Sequence, residues 1–466
     1  MDTEHTHNKE NIMGTKPVNR LLLSLGLPMI ASMMVSAFYN IVDSIFVARI
    51  TEAGSVENAG TAALVAVGMA FPFQTLIIAF SAGTGVGMNA LLSRALGEKD
   101  FNTVNKTAVN GIFCHGVCYI FFLLAGIFLP EILIKAQGGS GLSLIYGSQY
   151  LRIVCMCSFG VFTQFTFERL LQSTGKTIYS MITQMTGAII NIILDPILIF
   201  GLFGFPSLKV AGAAIATVIG QICAGSLAIF FNLKKNHEIS ISFKGFKPDA
   251  PIIGKIYSVG LPSIVMQSIG SVMTYSMNSI LNSLNEASVA VFTVYFKLQS
   301  FFFLPLFGMN NALIPIIAYN YGAKKRGRII SAIRYGMIYA GIFMGFGFIM
   351  FEVFPEALLK IFDTNDQNLI LYGVPALRII AFHFLIAWFC IIAGSTFQAL
   401  GNGVYSLIVS VARQLVVLIP VAYILAKIGG LSLIWWSFPI AELMSLLCSL
   451  FFLRRISKNI ISGIPE

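Results

Sequence analysis

Charge is what this chain has least of. Asp and Glu account for only 20 of 466 residues, charged residues of both signs for 11%, and there are 5 His and 3 Trp. No Asp-rich metal motif, activated-serine motif or paired intramembrane histidine occurs, so the chain is not expected to be an enzyme. No cofactor is expected either. The seven cysteines all lie in apolar stretches. Cys114-His115-x-x-Cys118 and Cys155-x-Cys157 have a metal-like spacing but no second ligand pair, which fits buried small residues better than a metal site. Low-complexity segments and any soluble insertion are also missing. Gly83-x-Gly85-x-Gly87 is too compact for a dinucleotide loop and follows no strand, so it points to close helix packing.

Apolar residues are abundant instead. They make up 56% of the chain, with a mean hydropathy of +0.82. A water-soluble domain cannot bury that much apolar surface, so the solvent for most of the chain is lipid. Twelve apolar stretches reach the roughly 20 residues that a spanning helix needs. They cover residues 18–48, 59–92, 103–130, 143–172, 177–203 and 209–233, then 252–281, 287–320, 329–353, 367–398, 403–427 and 431–453. Several are long enough to require tilt. The expected fold is all-α and polytopic.

The twelve stretches form two copies of one plan. Tyr146-Gly-Ser-Gln-Tyr150-Leu-Arg152-Ile153 returns as Tyr372-Gly-Val-Pro-Ala376-Leu-Arg378-Ile379. The same offset carries Gln172, Gly175 and Tyr179-Ser180 onto Gln398, Gly401 and Tyr405-Ser406. An offset one residue shorter carries Gly97, Lys99 and Gly111 onto Gly322, Lys324 and Gly336, and Ser24-Leu-Gly-Leu-Pro28 returns as Ser258-Val-Gly-Leu-Pro262. Each copy has an even number of spans, so the repeats are parallel and related by an axis along the membrane normal. The expected layout is a tail (1–17), a first six-helix lobe (18–233), a basic linker (234–251), a second lobe (252–455) and a second tail (456–466).

A net charge of +10 could suggest nucleic acid, but the placement of the cations argues against it. Lys234, Lys235, Lys244, Lys247 and Lys255 sit between the halves, and Lys324, Lys325, Arg326 and Arg328 fall on the same side. The opposite loops hold few cations, among them Arg49, Lys135, Lys209, Lys360 and Lys427. This is the positive-inside pattern of a multi-pass membrane protein with both termini in the cytoplasm. The bilayer is therefore an expected partner and nucleic acid is not. The polar first sixteen residues and the length of the first apolar run predict an uncleaved first span.

Ionisable groups within a span cost roughly 2.5–3.5 kcal/mol on insertion scales, so each calls for an explanation. Asp43 has no acidic counterpart in the second copy, where Met277 stands, and Asp195 faces Val421. Tyr39 and Asn40 share a helical face with Asp43, and Asn191 lies one turn before Asp195. At roughly 1.5 Å per residue, both acids and Thr217 fall at a similar depth in the outer half of the membrane. Two carboxylates, amides, a phenol and a hydroxyl at one level make a candidate proton or cation site.

Other groups get structural readings. Glu168-Arg169 looks like a snorkelling interfacial pair. The repeat-equivalent Arg152 and Arg378 suggest a structural role, and His115 and His383 suggest packing. Lys297, Arg413 and Glu442 could be a buried cluster or a substrate contact. Pro28 could serve as a hinge in the first span, with Pro262 its equivalent. Met33, Met34, Met69 and Phe73, with Gln267 and Lys297, are candidates for an adaptable substrate cleft.

Together these residues resemble the multidrug and toxic compound extrusion (MATE) family, in its bacterial DinF/MepA-like branch. The resemblance spans about Asn19 to Arg455. It rests on Ser24-Leu-Gly-Leu-Pro28, Tyr39-Asn-Ile-Val-Asp43, Leu96-Gly-Glu-Lys99, Asn191-Ile-Ile-Leu-Asp195-Pro196, Val210-Ala-Gly-Ala-Ala214 and Phe397-Gln-Ala-Leu-Gly401. It implies two six-helix lobes in a V and export of amphipathic, cationic organic compounds by a monomer in exchange for H⁺ or Na⁺. It also implies a coupling site at Tyr39, Asn40, Asp43, Asn191, Asp195 and Thr217. The NorM-like branch uses acids in spans seven and ten. Here Gln267 stands in the seventh, and no acid occurs between Gly373 and Leu400. The rival expectation is a lipid-linked precursor flippase, which would line its groove with cations such as Lys297, Arg378 and Arg413.

Overall fold

The structure is a computed structural model that describes residues 10–50, 59–284, 286–361 and 367–465. Among these residues the regular structure is helical, with no strand. The first half comprises α1 (Ile12–Thr15), α2 (Val18–Ala48), α3 (Ala59–Gly97), α4 (Phe101–Phe128), α5 (Pro130–Ala136), α6 (Gly141–Met156), α7 (Phe159–Ser173), α8 (Thr177–Phe200) and α9 (Lys209–Lys235). The second comprises α10 (Ala250–Leu284), α11 (Glu286–Gly322), α12 (Arg326–Val353), α13 (Pro355–Lys360), α14 (Gln367–Ala381), α15 (Phe384–Ala399), α16 (Gly403–Val411), a π-helical stretch at Ala412–Leu418, α17 (Ile419–Ile434) and α18 (Ser437–Ile456).

Ten helical segments, one of them running from α16 through the π-helical stretch and α17, are long and apolar enough to cross a membrane. Two bent pairs raise the number to twelve if each pair makes one span. The sequence predicts residues 143–172 and 367–398 as single helices, and both are broken. α6 and α7 meet at 45°, and α14 and α15 at 49°. The turns fall at Cys157–Ser158 and Phe382–His383, positions that the repeat superimposes to within one residue. Apolar composition runs unbroken through both, so hydropathy alone carries no sign of the bend.

Other features recur in both halves. Lys99 and Lys324 both adopt left-handed backbone (φ 59° and 56°) at the turn that ends a long helix, and Gly175 and Gly401 do the same (79° and 80°). α5 and α13 each start at a proline and carry an exposed i,i+4 pair, Lys135–Glu131 and Lys360–Glu356, both at 2.6 Å. Such pairs contribute little stability at a surface, so their repetition reflects common origin more than energetics.

The described chain divides into two compact units. One contains Ala31–Leu96 and Asp100–Gly260; the other contains Asn11–Ile30, Gly97–Lys99 and Leu261 onward. Pro28 lies inside α2, which continues through it, and Pro262 lies likewise inside α10.

In the first unit, Phe122, Tyr150, Leu151, Phe162 and Ala213 belong to an apolar core, against which Met69 and Phe73 pack half-buried. Close backbone contact holds α3 against α10. A Cβ on Gly87 would come 2.0 Å from the Ile256 carbonyl oxygen, so only glycine fits. The segment between α9 and α10 is tied back to α4: Ser240 N donates to Asn105 Oδ1 at 2.7 Å and Asp249 N to Asn110 Oδ1 at 2.9 Å. Asp100 caps α4 by accepting from Thr103 N at 3.0 Å, and the Thr103 hydroxyl and N–H hold its carboxyl below the usual carboxylate range.

In the second unit, Trp435, Tyr295, Phe292, Phe351 and Phe384 are almost fully buried. α1 docks on this unit by its backbone: Arg328 Nη2 donates to the Met13 and Lys16 carbonyls at 2.9 and 2.7 Å, and Lys325 Nζ to Gly14 O at 2.9 Å. Large apolar side chains elsewhere point outward, including Phe71, Ile342 and Leu447, each more than 60% exposed. That exposure suits a hydrocarbon solvent.

Candidate ion-coupling site

The first unit brings the expected polar residues together. Asp195 on α8 is fully buried, Asn191 one turn earlier is 3% exposed, and Thr217 on α9 is 7% exposed. α8 and α9 approach closely because Gly187 and Gly220 face each other. A Cβ on Gly220 would lie 2.7 Å from the Gly187 carbonyl oxygen. That approach brings the Asn191 amide within 3.2 Å of the Thr217 hydroxyl. The hydrogen bonding is best satisfied with the amide nitrogen donating to Asp195 Oδ2 at 3.2 Å. The amide oxygen then accepts from Thr217 N at 3.1 Å and Thr217 Oγ1 at 3.2 Å.

Asp43 arrives from α2, half-buried, with its carboxyl within hydrogen-bonding reach of Asp195. Its Oδ1 is buried and has no hydrogen-bond partner. Two ionised carboxylates about 4 Å apart repel by roughly 4 kcal/mol at an effective dielectric of about 20. A contact between them is therefore stable only with a proton or cation shared between the pair. Carboxylate, amide and hydroxyl oxygens are also ligands that a small hard cation accepts. Among the described residues, no group of three or more His, Cys, Asp or Glu side chains is arranged to hold a metal ion.

Tyr39, half-buried on α2, lies in electrostatic range of both carboxyls. Asn40 is exposed; its Nδ2 donates to Ser36 O at 2.8 Å, and its link to the acids runs through Tyr39. Sequence reasoning missed Tyr150 on α6. It is 2% exposed, lies in range of Asp43, Tyr39 and Asp195, and donates to Gln74 Oε1 on α3 at 3.4 Å. A signal was available, because the repeat places Ala376 opposite Tyr150. The asymmetry that singles out Asp43 and Asp195 singles out this tyrosine too.

Elsewhere the structure changes the expectations. Glu168 and Arg169 do not snorkel, being 2% and 5% exposed. α7 packs against α8 and α9 here, and Glu168 accepts from Gln164 Nε2 (3.0 Å), Thr183 Oγ1 (2.9 Å) and Gln184 Nε2 (2.7 Å), while Arg169 donates to Gln172. In the second unit Arg413 Nη1 meets Glu442 Oε2 at 3.2 Å. Tyr295 donates to Gln299 and lies 3.5 Å from His383 Nε2. Of the cleft candidates, Met33, Met34, Met69 and Phe73 are half-buried in the first unit, and Gln267 and Lys297 are exposed in the second. Arg152 and Arg378 are both exposed. All seven cysteines are free.

Comparison with known proteins places the chain in a family. The MatE family model matches residues 28–197 and 262–424, one segment in each half. The chain belongs to the MATE family. It is 28% identical over 443 residues to the multidrug export protein MepA of Staphylococcus haemolyticus (strain JCSC1435), covering 95% of this chain and 94% of that one. MepA of Staphylococcus aureus (strain MRSA252) is 25% identical, covering 95% of each chain. Among solved structures, an outward-facing multidrug resistance MATE family transporter of the MOP superfamily superposes with a TM-score of 0.89 at 24% identity, covering 98% of this chain and 99% of that one. A MOP superfamily transporter from Pyrococcus furiosus, described by the reversed polarity of its binding pocket, gives 0.88 at 24% identity, covering 97% and 98%. The all-α MATE fold is thus shared along nearly the whole chain.

Proposed function

We propose that this MATE protein is a secondary-active multidrug antiporter of the bacterial cytoplasmic membrane. It exports amphipathic, cationic organic compounds by alternating access, with both termini in the cytoplasm. The export activity follows the relatives, which are named as multidrug export proteins. The coupling ion is a proton, held between Asp43 and Asp195 and steadied by Asn191, Thr217 and Tyr39. The contact between the two carboxyls carries this reading, because a proton is the smallest occupant that removes their repulsion. Release of the proton leaves two like charges in a poor dielectric, which biases the protein toward another conformation that binds substrate differently.

Sodium is the second reading, since the same oxygens would accept it. The flippase reading needs cations available for pyrophosphate, and Arg413 is engaged with Glu442. Efflux of a fluorescent cationic dye from proteoliposomes, with pH and Na⁺ gradients imposed separately, tests the proposal. The expected result is dye movement driven by the pH gradient alone. Movement driven only by Na⁺ replaces the proton with sodium, and insensitivity to both gradients overturns secondary-active antiport.

A further inference from the structure

The linker between α9 and α10 lies along the first turns of α4. Ser240 and Asp249, near its two ends, are held by Asn105 and Asn110, and Lys106 Nζ meets Asp249 Oδ2 at 3.4 Å. Between those ties Phe246 packs on Phe113 with ring centroids 5.7 Å apart, and Phe243 packs on Phe246 at 6.0 Å. The turn that joins the two phenylalanines closes where Phe246 N donates to Phe243 O at 3.1 Å, with Gly245 in left-handed backbone (φ 65°). α4 shows the level at which this happens. Lys106 is the only Lys, Arg, Asp or Glu in that helix. It begins an exposed stripe that continues through Phe113, Val117, Phe121, Leu124 and Phe128, a spacing that keeps side chains on one helical face. The face is charged at Lys106 and apolar from Phe113 onward, so water gives way to hydrocarbon over about 10 Å of helix.

The linker touches both sides of that boundary, Asp249 at Lys106 and Phe246 at Phe113. At the same place it carries Phe243, 54% exposed, and the exposed Lys244 and Lys247. Asp249 is the one acid between Ser240 and Lys255, and it is engaged with Lys106. Neither Lys244 nor Lys247 forms an ion pair among the described residues. We propose that this linker is an interfacial anchor for anionic phospholipid. Phe243 sits between the headgroups and the upper acyl carbons of one leaflet, where aromatic rings are favoured, and Lys244 and Lys247 hold the negative headgroups around it. The ring alone would accept any lipid; the two cations make the seat selective. The leaflet is the cytoplasmic one under the orientation proposed above.

The test uses the full-length protein in nanodiscs of phosphatidylcholine, alone or mixed with phosphatidylglycerol. Both leaflets then have one composition, so the outcome is independent of orientation and of transport, and either of those readings can fail separately. Amide hydrogen exchange across residues 241–247 should be about tenfold slower with phosphatidylglycerol, while α8 exchanges alike in both discs. Lys244→Gln/Lys247→Gln should remove the difference. Arg454→Gln/Lys458→Gln, which takes the same charge from exposed positions in the second unit, should keep it. Phe243→Trp adds a probe of depth, read against the wild-type emission of Trp388, Trp435 and Trp436. Its fluorescence should be quenched by lipids brominated on the acyl chain and shielded from acrylamide. Exchange that ignores phosphatidylglycerol, a difference that survives Lys244→Gln/Lys247→Gln, or an equal loss in Arg454→Gln/Lys458→Gln overturns the proposal. So does a Phe243→Trp signal quenched by acrylamide and not by brominated lipid, because that puts the turn in water.

Discussion

The two halves descend from one plan yet keep their buried polar groups in different places. Half one has Asp43, Tyr150 and Asp195 where half two has Met277, Ala376 and Val421. Half two has Tyr295, His383 and Arg413 where the same offsets give Ala70, Cys157 and Gly187 in half one. At that last position, Gly187 lets α8 settle on α9 and so brings Asn191 to Thr217. Its counterpart Arg413 lies instead in a π-helical stretch and reaches Glu442. One glutamine is common to both: Gln74 accepts from Tyr150, and its equivalent Gln299 accepts from Tyr295. Half one thus pairs like charges, which demand an ion. Half two pairs opposite charges, which complete one another. The proposed function accordingly puts coupling in the first half and leaves internal cohesion to the second.

The largest effect should come from removing the like-charge pair. Asp43→Asn and Asp195→Asn should each abolish gradient-driven efflux from proteoliposomes while leaving folded protein. The double variant should lose little more than either alone, because the two act as a unit. Next comes the opposite-charge pair. Glu442→Gln leaves Arg413 without its counter-charge and should lower stability by about 3 kcal/mol, the low end for such pairs because Arg413 is part-exposed. The protein that remains folded should keep its response to the gradient. Equal loss of coupling in Glu442→Gln would break the division between the halves.

Gly220→Ala tests the close approach that builds the first site. Its Cβ would sit 2.7 Å from a backbone oxygen, so α8 and α9 must part, at a cost of about 1–3 kcal/mol. Melting temperature and efflux should fall together. Tyr150→Phe keeps the packing and removes one hydrogen bond, so a stability loss near 1 kcal/mol and slower efflux are expected. The smallest effect belongs to Gln267→Ala, which should leave the gradient dependence intact. Its loss would reveal a coupling site in the second half.

Hydropathy and the repeat made the helical architecture legible, because a bilayer imposes length and composition on each span. The acid pair was legible for a related reason: an acid within a span is costly enough to stand out against an apolar counterpart. Tyr150 carried the same mark but was masked by its setting in a well-matched stretch of the repeat. Burial of Glu168 and Arg169 was not legible, since their sequence position near a helix end fits an interface as well as a packed junction. The bends at Cys157 and His383 left no compositional trace, because a bent apolar helix and a straight one satisfy the lipid equally.

Proton release on substrate binding reads most directly where the exchangeable ion sits. In weakly buffered detergent solution, adding a cationic substrate to the wild-type protein should acidify the medium. Asp43→Asn/Asp195→Asn should bind substrate without releasing protons, and Glu442→Gln should release them as the wild type does. Proton release that persists in the aspartate variant, or disappears in Glu442→Gln, would contradict the assignment of coupling to the first half.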